Sequence, residues 1–314
     1  MFFEDESNFI TVSLITTRYL GHIDIAERFF ALLSRYGDIY VPEKWGTEER
    51  TRKIFSLTDT SEILNEWVIS KNKFKYLVFR RKYPVEVQMC IRIEHFARAT
   101  FNGFDAYIRD KYIDSEDKVN TLLNFIEELC SVFTIDYGYI SHIKQKRRQS
   151  FVLTPAERLA GIYWVNLFGK PYIDFFGRGK LLNSPCYEVR EIKEGLIILK
   201  TARTPLSPEI LDDDSVAIHL KSYLNNNAFA GPNFPDQPCE VPEFDFSEVR
   251  WAEDTIANES IEDKSVWLKQ ELIAKGYKLI SQENNKLIFK GNENFIHLDL
   301  NSGQVTLNMS GVSD

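Results

Sequence analysis

One short segment constrains the fold of this chain more strongly than any other part of the sequence. Residues 161–177 have the sequence GIYWVNLFGKPYIDFFG, which combines six aromatic residues with three glycines and one proline. Aromatic side chains dominate core burial, whereas glycine and proline interrupt regular elements. The segment therefore predicts core packing, with a ligand pocket as the alternative. The motif residues are Tyr163, Trp164, Asn166, Phe168, Gly169, Pro171 and Tyr172.

The first 150 residues alternate between the two-residue period of strands and the spacing of amphipathic helices. Helices are predicted over about 23–36 and 116–133, a shorter one over about 58–68, and a loop over Tyr40–Trp45. This order indicates helices packed on one face of a mainly antiparallel sheet. The predicted strands are Ile10–Thr16, Phe74–Arg81, Val85–Ile93 and Ile135–Ser141.

The second half predicts a similar order of elements. A short helix is predicted at Thr154-Pro-Ala-Glu157, which has the capping-box pattern with proline at the first helical position. A strand over about 161–168 and a helix from Pro171 to about Leu182 follow. Further along are strands over Cys186–Glu191 and Leu196–Lys200 and a helix over about 214–224. The chain is thus predicted to be an α+β protein built from two loosely similar βαββα-type units.

Four parts are predicted along the chain. Residues 1–150 form an N-terminal α+β unit, and residues 151–230 form a second α+β unit that contains the aromatic segment. Four prolines between 232 and 242 indicate a Pro-rich acidic linker over 231–258. Residues 259–314 predict a small α+β tail domain, with a helix over about 260–276 and a meander of strands over Tyr277–Ser281, Lys286–Lys290, Phe295–Leu300 and Gln304–Met309.

Charge is distributed unevenly along the sequence. Residues 205–263 contain 14 Asp or Glu residues and only two basic residues, so this stretch has a net charge of −12. The rest of the chain is about +4, and the total is −8. A concentrated negative field attracts basic partners and repels nucleic acid. An acidic linker that only improves solubility is the alternative interpretation.

No established catalytic motif occurs in the sequence. The nucleophile elbow, the phosphate-binding loop, the dinucleotide fingerprint and the zinc-protease helix motif are all absent. The five histidines are scattered, and Glu94–His95 is the one pair that could form an acid/base couple. Polar residues at strand ends are more often only solvated. The four cysteines form no C-x-x-C pair, so no zinc site is predicted.

Three charged clusters each have a structural and a functional interpretation. Asp212, Asp213 and Asp214 could bind a cation, but their position before a predicted helix favours capping and a negative patch. Lys144–Arg148 is predicted to be a solvated interdomain turn, because nucleic-acid binding needs a wider basic surface. Gly177–Lys180 could contact a phosphate, but its basic residues also complement a helix C-terminus. No metal and no cofactor are therefore predicted.

The sequence indicates a protein outside the membrane. It contains no apolar run of about eighteen residues, so no membrane-spanning helix and no membrane partner are predicted. Its first residues, MFFEDES, are acidic, whereas a secretory signal begins with basic residues and continues into an apolar run. A cytoplasmic location is expected.

The aromatic segment also resembles a known family. Together with its continuation KLLNSPCYEV over Lys180–Val189, it is similar to bacterial polymorphic-toxin immunity proteins of the immunity protein 52 type. The resemblance is best over about residues 155–225, weaker over the N-terminal half, and absent over about 230–314. It implies a non-enzymatic protein that is made beside a toxin, binds it tightly and blocks it. It transfers no catalytic residues and no binding residues, since immunity surfaces vary with the toxin.

We therefore expect a non-enzymatic immunity or antitoxin-like protein that binds and neutralises a cognate bacterial toxin. The toxin is expected to be basic, because an acidic face accelerates association with a basic partner. The expected partner-binding residues are Asp212, Asp213, Asp214, Glu240, Glu243 and Asp245. Two alternatives are an enzyme with an unrecognised active site and a sensor of a small molecule or a nucleic acid that uses the basic turns. The acidic total disfavours nucleic acid.

Overall fold

Ten strands form one antiparallel sheet, which organises the first of the two structural units of the chain. The units comprise Met1–Trp251 and Ala252–Asp314. The α+β class with mainly antiparallel sheets is therefore confirmed. The computed structural model describes residues 8–47, 51–68, 73–95, 101–149, 155, 157–192, 195–230, 239–247, 278–283, 286–290, 294–299 and 304–309.

Every neighbouring pair in the large sheet is antiparallel. Across the sheet the strands lie in the order β3-β2-β4-β5-β6-β1-β7-β8-β10-β9. The six strands predicted before residue 150 and after residue 185 lie within two residues of their predicted ends. In chain order the strands are β1 (Phe9–Thr16), β2 (Lys44–Thr47), β3 (Lys53–Ile54), β4 (Lys73–Arg81), β5 (Val87–His95), β6 (Asn102–Arg109), β7 (Tyr137–His142), β8 (Val165–Phe168), β9 (Glu188–Ile192) and β10 (Leu196–Lys200).

Three strands were not predicted from the sequence. β6 contains Asn102, Gly103 and Asp105, which are residue types that are depleted in strands. It nevertheless lies between β1 and β5 because Phe104, Ala106 and Ile108, which alternate along it, are apolar and buried. The region predicted as a loop contains the short strand β2, which pairs with β4 and with the two-residue β3.

The helices follow the predicted periodicity closely where the apolar stripe is long. α3 has the predicted bounds, and α1 and α8 end within one residue of theirs. Within the described residues, no helix is long and apolar enough to cross a lipid bilayer. The helices are α1 (Ile23–Arg35), α2 (Ser61–Trp67), α3 (Glu116–Phe133), α4 (Ile143–Arg148), α5 (Lys170–Phe176), α6 (Arg178–Leu182), α7 (Pro208–Leu211) and α8 (Ser215–Leu224).

Two predicted elements differ from the structure in a way that affects the site. The basic cluster Lys144–Arg148 was predicted to be a turn, but it is helix α4, whose first turn is capped by the ring of His142. The helix predicted from Pro171 to Leu182 is interrupted at Gly177, which has a φ of 88°. That left-handed backbone favours glycine and separates α5 from α6.

Helices cover both faces of the large sheet. Over the first half, α1, α2 and α3 pack on one face, against side chains such as Val12 and Phe104. Over the second half, α5, α6 and α8 pack on the opposite face, against side chains such as Phe168 and Ile197. The prediction of helices on one face thus describes the first half. The second half has apolar layers on both faces because every residue of β8 and β10 is buried.

Both halves of the first unit contribute to the same sheet. The predicted boundary near residue 150 lies between β7 and β8, and these two strands pair from Tyr137 with Phe168 to Ile140 with Val165. Any structural feature at the β7–β8 junction therefore combines residues from both sides of that boundary.

The second unit contains a four-stranded antiparallel meander, as predicted. Its strands are β11 (Lys278–Glu283), β12 (Lys286–Lys290), β13 (Asn294–Asp299) and β14 (Gln304–Met309). Leu287 and Phe289 of β12 are fully buried and form its apolar side. The helix predicted over about 260–276 lies outside the described residues, as does most of the predicted Thr154–Glu157 helix.

Helix α3 ends with an unusual backbone conformation. Ser115 caps its start by accepting a hydrogen bond from the Lys118 N–H, and Thr134 follows its end with a φ of 53°. The Thr134 N–H donates to the Cys130 carbonyl at 2.8 Å, which closes the last turn. A β-branched residue is strained in this left-handed conformation, whereas asparagine tolerates it.

We expect Thr134→Asn to increase the free energy of unfolding by roughly 1 kcal/mol, because the left-handed cap becomes less strained. Denaturant titration would show a higher midpoint with an unchanged slope. Thr121→Asn, inside α3, is the matched control and should not stabilise the protein. Equal stabilisation by both substitutions would mean that the cap conformation is not the cause.

Candidate functional site

The aromatic segment lies in the core at the β8 end of the large sheet. Tyr163, Trp164, Asn166, Phe168 and Tyr172 are each at most 2% exposed. The Trp164 indole N–H donates to the Ala202 carbonyl at 2.9 Å. The Tyr172 ring lies 5.3 Å from the Tyr137 ring and 5.6 Å from the Phe168 ring. The rings of the segment fill the interior by packing on each other.

Three buried amide side chains hold the chain that leads into β8. The Gln149 amide donates to the Ile162 carbonyl at 2.7 Å and accepts from the Ile162 N–H at 3.0 Å. Gln145 accepts from the Trp164 N–H at 2.9 Å, and Asn166 bonds to both backbone groups of Tyr163. These side-chain amides provide hydrogen-bond partners for the buried backbone groups of Ile162, Tyr163 and Trp164.

The role of the two glutamines was missed in the sequence, although a signal was present. Gln145 and Gln149 are four residues apart, so they lie on the same face of a helix. Each is at most 5% exposed, whereas Lys144, Arg147 and Arg148 around them are exposed. The basic composition of Lys144–Arg148 is typical of a solvated turn, and it obscured the helical spacing of the two buried glutamines.

A cleft of about 450 Å³ opens where the ends of β1, β7 and β8 meet the end of α3 and the start of α5. It includes four residues of the aromatic segment, Gly169, Lys170, Pro171 and Asp174, and two of the predicted acidic residues, Glu243 and Asp245. The lining residues are Thr17, Arg18, Cys130, Ser131, Thr134, Ile135, Asp136, Gly169, Lys170, Pro171, Asp174, Ile192, Gly195, Leu196, Glu243, Asp245 and Ser247.

Gly169 allows the backbone around the cleft to pack closely. A Cβ atom at this position would lie 2.2 Å from the Ile135 carbonyl oxygen, so no side chain fits. The Gly169 N–H donates to the Asp136 carbonyl at 2.9 Å. The glycine therefore places the start of α5 directly beside the residue that precedes β7.

Carboxylates outnumber basic groups among the described lining residues of the cleft. Asp136, Asp174, Glu243 and Asp245 face Arg18 and Lys170, which leaves a formal excess of two negative charges within this described set. Lys170 and Asp174 form an exposed ion pair at 2.7 Å. Asp136 accepts a hydrogen bond from the Thr17 N–H at 2.6 Å. Burial raises the pKa of the Asp136 carboxyl, although the Thr17 hydrogen bonds and the Arg18 charge oppose this shift.

One wall of the cleft is formed by an extended segment, residues 239–247, which we call the strap. The Glu240 carboxylate accepts hydrogen bonds from the side-chain amides of Asn225 and Asn227, both at 2.8 Å, and these bonds lower its pKa. Asp245 accepts from the Ser247 N–H at 2.9 Å, which lowers the Asp245 pKa. These described residues of the predicted linker are thus anchored to the first unit.

The acidic triplet, Asp212–Asp214, lies apart from the strap. It precedes α8, whereas Glu240 binds the residues that follow α8, so the helix separates the two groups by about 15 Å. Asp214 forms an ion pair with Arg148 at 3.1 Å. Asp213 accepts from the Ser215 N–H and hydroxyl at the start of α8, whereas the N-cap residue Asp214 makes no side-chain capping hydrogen bond. Asp212 and Asp213 remain exposed.

The basic turns bind partners within the protein. Arg178 pairs with Glu191, and the Lys180 ammonium donates to the Leu224 carbonyl at the end of α8. Arg148 pairs with Asp214 and also donates to the Ile210 carbonyl at 2.8 Å. These basic groups stabilise helix ends and ion pairs, which weakens the interpretation that they bind phosphate.

The remaining candidate chemistry is also limited. Glu94 lies 3.5 Å from Arg92, and the His95 side chain is outside the described part of the chain. No group of three His, Cys, Asp or Glu residues that could hold a metal ion occurs among the described residues. Burial raises the pKa of the Cys90 thiol to about 12 and that of Cys186 to about 11, so both are protonated at neutral pH.

Comparison with known proteins gives a weak structural neighbour. No family model matches the sequence, and no curated protein matches it. Among solved structures, the T6SS protein PA0821 of Pseudomonas aeruginosa has a TM-score of 0.46 and 10% sequence identity, with 69% of this chain and 76% of that chain covered. At this level the likeness assigns neither a family nor an activity to the chain.

We expect Gln149→Leu to lower the free energy of unfolding by about 2–4 kcal/mol, because both backbone groups of Ile162 lose their buried partner. Urea titration measures the change. Lys144→Leu on the exposed side of α4 is the matched control and should alter stability by less than about 0.5 kcal/mol. Similar losses in both variants would show that the amide pair is not what holds the segment.

We expect the stability contributed by Asp136 to fall as pH rises. Its raised pKa means that the folded protein binds this proton more tightly than the unfolded chain does, so ionisation destabilises the fold. The free energy of unfolding of the wild type minus that of Asp136→Asn should therefore decrease as the pH rises above the ordinary aspartate pKa of about 4. Denaturant titrations at several pH values test this, and a constant or increasing difference would contradict it.

Proposed function

We propose that this protein is a non-enzymatic immunity or antitoxin-like protein that binds a cognate bacterial toxin and neutralises it through an acidic surface. The proposed partner is a basic protein, and the cytoplasmic location expected from the sequence is part of the proposal. The family resemblance of the aromatic segment motivated this hypothesis. The described structure supports it through the exposure of its acidic groups.

The observation that carries the proposal is the set of carboxylates left exposed by the rest of the fold. Of the six acidic residues expected to bind a partner, Asp214 alone forms an ion pair within the described residues. The other five are exposed: Asp212, Asp213, Glu240, Glu243 and Asp245. A basic protein that meets such a surface associates faster and in a preferred orientation.

The five residues form two acidic areas. Asp212 and Asp213 lie before α8, while Glu243 and Asp245 lie on the strap and line the cleft. Glu240 is held by Asn225 and Asn227, so its carboxylate contributes charge from a fixed position. A protein partner can contact both areas at once, since a standard interface buries about 800 Å² on each side. Binding would block the toxin by covering it.

A second candidate function is the binding of a small cationic molecule. The cleft volume of about 450 Å³ lies within the range of roughly 300–1,000 Å³ that is typical of ligand sites. Six charged side chains are among its described lining residues, whereas small-molecule sites are lined mostly by apolar side chains, and this favours a protein contact. An enzymatic function has less support, because no established catalytic motif occurs in the sequence.

The test is to express the full-length protein with the product of the neighbouring gene, and to measure growth rescue and the association rate of the two purified proteins. We expect Glu243→Lys with Asp245→Lys to slow association about tenfold at low salt, with a smaller effect at high salt. Asp212→Lys with Asp213→Lys should act in the same direction. The matched control is Asp24→Lys with Glu27→Lys on α1, which changes the net charge equally at another exposed site.

Three outcomes are informative. Slower association for the strap and triplet variants but not for the α1 control would support the acidic surface. Equal slowing by all three variants would mean that total charge, rather than this surface, controls the encounter. Absence of binding and of growth rescue by the wild-type protein would contradict the immunity function and favour the small-molecule candidate.

A further inference from the structure

We propose that the cleft receives one basic side chain of the protein partner, and that Phe244 and Phe246 are positioning residues that hold the carboxylates of the strap in place for it. This inference rests on the proposed function, because it takes the partner to be a basic protein. It specifies the cleft as the part of the surface that binds and a basic side chain as the bound group. It also assigns a role to Phe244 and Phe246, which are not acidic.

Alternate side chains of the strap lie on opposite sides, as they do in an extended chain. Glu243, Asp245 and Ser247 line the cleft. Between them, Phe244 and Phe246 point to the protein interior, where their rings lie 5.1 Å and 5.0 Å from the ring of Phe101. Apolar anchors on one side thus fix the direction of the carboxylates on the other.

The strap is also attached at its beginning. Pro242 is buried, and the Glu240 N–H donates to the Asn227 carbonyl at 3.1 Å in addition to the two amide contacts of its carboxylate. Phe244 further contacts Tyr172 of the aromatic segment at 5.9 Å. A segment that is held at both ends does not have to be ordered when a partner binds, and this reduces the entropic cost of binding.

The opposite wall favours the same sign of ligand for an independent reason. Helix α3, with 18 residues, ends at the cleft, and Cys130, Ser131 and Thr134 are part of the lining. The C-terminus of a helix carries a partial negative charge, which Arg28 partly offsets here by donating to the Ser131 carbonyl at 2.6 Å. Asp136 lies on this wall and is less exposed than Glu243 and Asp245. A cation in the cleft would therefore contact Glu243 and Asp245 on one wall. On the opposite wall it would contact the C-terminus of α3 and Asp136.

The charge of the cleft favours a basic side chain over a phosphate or a polyanion. Its formal excess of two negative charges repels phosphate. Arginine is the better of the two basic side chains for this place, since its planar guanidinium can bind carboxylates through two parallel hydrogen bonds. Arg18 and Lys170 on the lining limit the number of further cations that can enter.

The first experiment measures binding of N-acetyl-arginine methylamide to the isotope-labelled full-length protein by NMR at fixed ionic strength. The uncharged N-acetyl-citrulline methylamide has nearly the same shape and is the control ligand. We expect the arginine compound to shift the amide signals of Gly169 and Gly195, and the citrulline compound to leave them unchanged. Equal shifts with both ligands, or shifts confined to other regions, would overturn the proposal.

The second experiment compares variants with the same ligand. Glu243→Gln with Asp245→Asn should weaken arginine binding about threefold to tenfold, because two partly exposed charge contacts are lost. Asp212→Asn with Asp213→Asn is the matched control outside the cleft and should retain wild-type affinity. Equal weakening in the two double variants would locate the binding in the general field of the protein and not in the cleft.

The role of Phe244 and Phe246 as positioning residues is tested by arginine binding, because a change in stability alone would not distinguish it from a structural role. Phe246→Ser should weaken arginine binding, and Phe246→Leu should restore it, since leucine keeps an apolar anchor. Phe175→Ser, which removes another ring that packs against the same apolar layer, is the control for general destabilisation. If Phe175→Ser weakens arginine binding as much as Phe246→Ser does, the strap aromatics have only a structural role.

The failure of this inference can be distinguished from the failure of the proposed function. A partner that binds and is neutralised with the same affinity by Glu243→Gln with Asp245→Asn would preserve the immunity function and contradict the cleft. Specific arginine binding in the cleft without any neutralised partner would contradict the immunity function instead. Binding of the free arginine compound that is much tighter than millimolar would favour a small-molecule source for the cation.

Discussion

The structure depends on the way in which buried backbone is satisfied before β8. Among the described residues, no strand pairs with the backbone of Ile162 and Tyr163, and an unpaired buried amide or carbonyl costs about 1–3 kcal/mol. Gln145 and Gln149 supply the missing partners from one face of α4. Because α4 directly follows β7, these side chains fix β8 beside β7 and so join the two halves of the sheet.

The position of the cleft follows from this junction. Once β8 is fixed, Gly169 lies against the backbone of Ile135 and Asp136, and α5 begins beside the end of α3. The buried rings of α5 and β8 then form the apolar surface on which the strap packs through Phe244. The aromatic segment therefore has an indirect relation to function: its side chains fill the core, while its glycine and proline shape the floor of the cleft.

The sequence predicted elements well where one physical signal dominated. The long apolar stripe of α3 and the alternation in β4 and β5 were sufficient, because burial of one face determines both structures. The strand β6 was not predicted, because its polar residues and its glycine obscure the regular spacing of its buried apolar residues. The helix α4 was predicted as a turn, because most of its residues are basic or polar. The cleft could not be predicted, because Asp136, Asp174 and Asp245 are distant in sequence and meet only through the β7–β8 junction.

The number of charged residues in a sequence overestimates the number of charged groups that are available to a partner on the surface. The basic groups of α4 and the Gly177–Lys180 turn looked available, but Arg148 and Arg178 pair with carboxylates and Lys180 caps a helix. Asp214 is removed from the acidic surface by the same pairing. What is left is set by geometry: an acidic residue on the strap stays exposed because its aromatic neighbours occupy the interior side of the extended backbone. A segment of alternating aromatic and acidic residues thus separates packing from binding along one short stretch of chain.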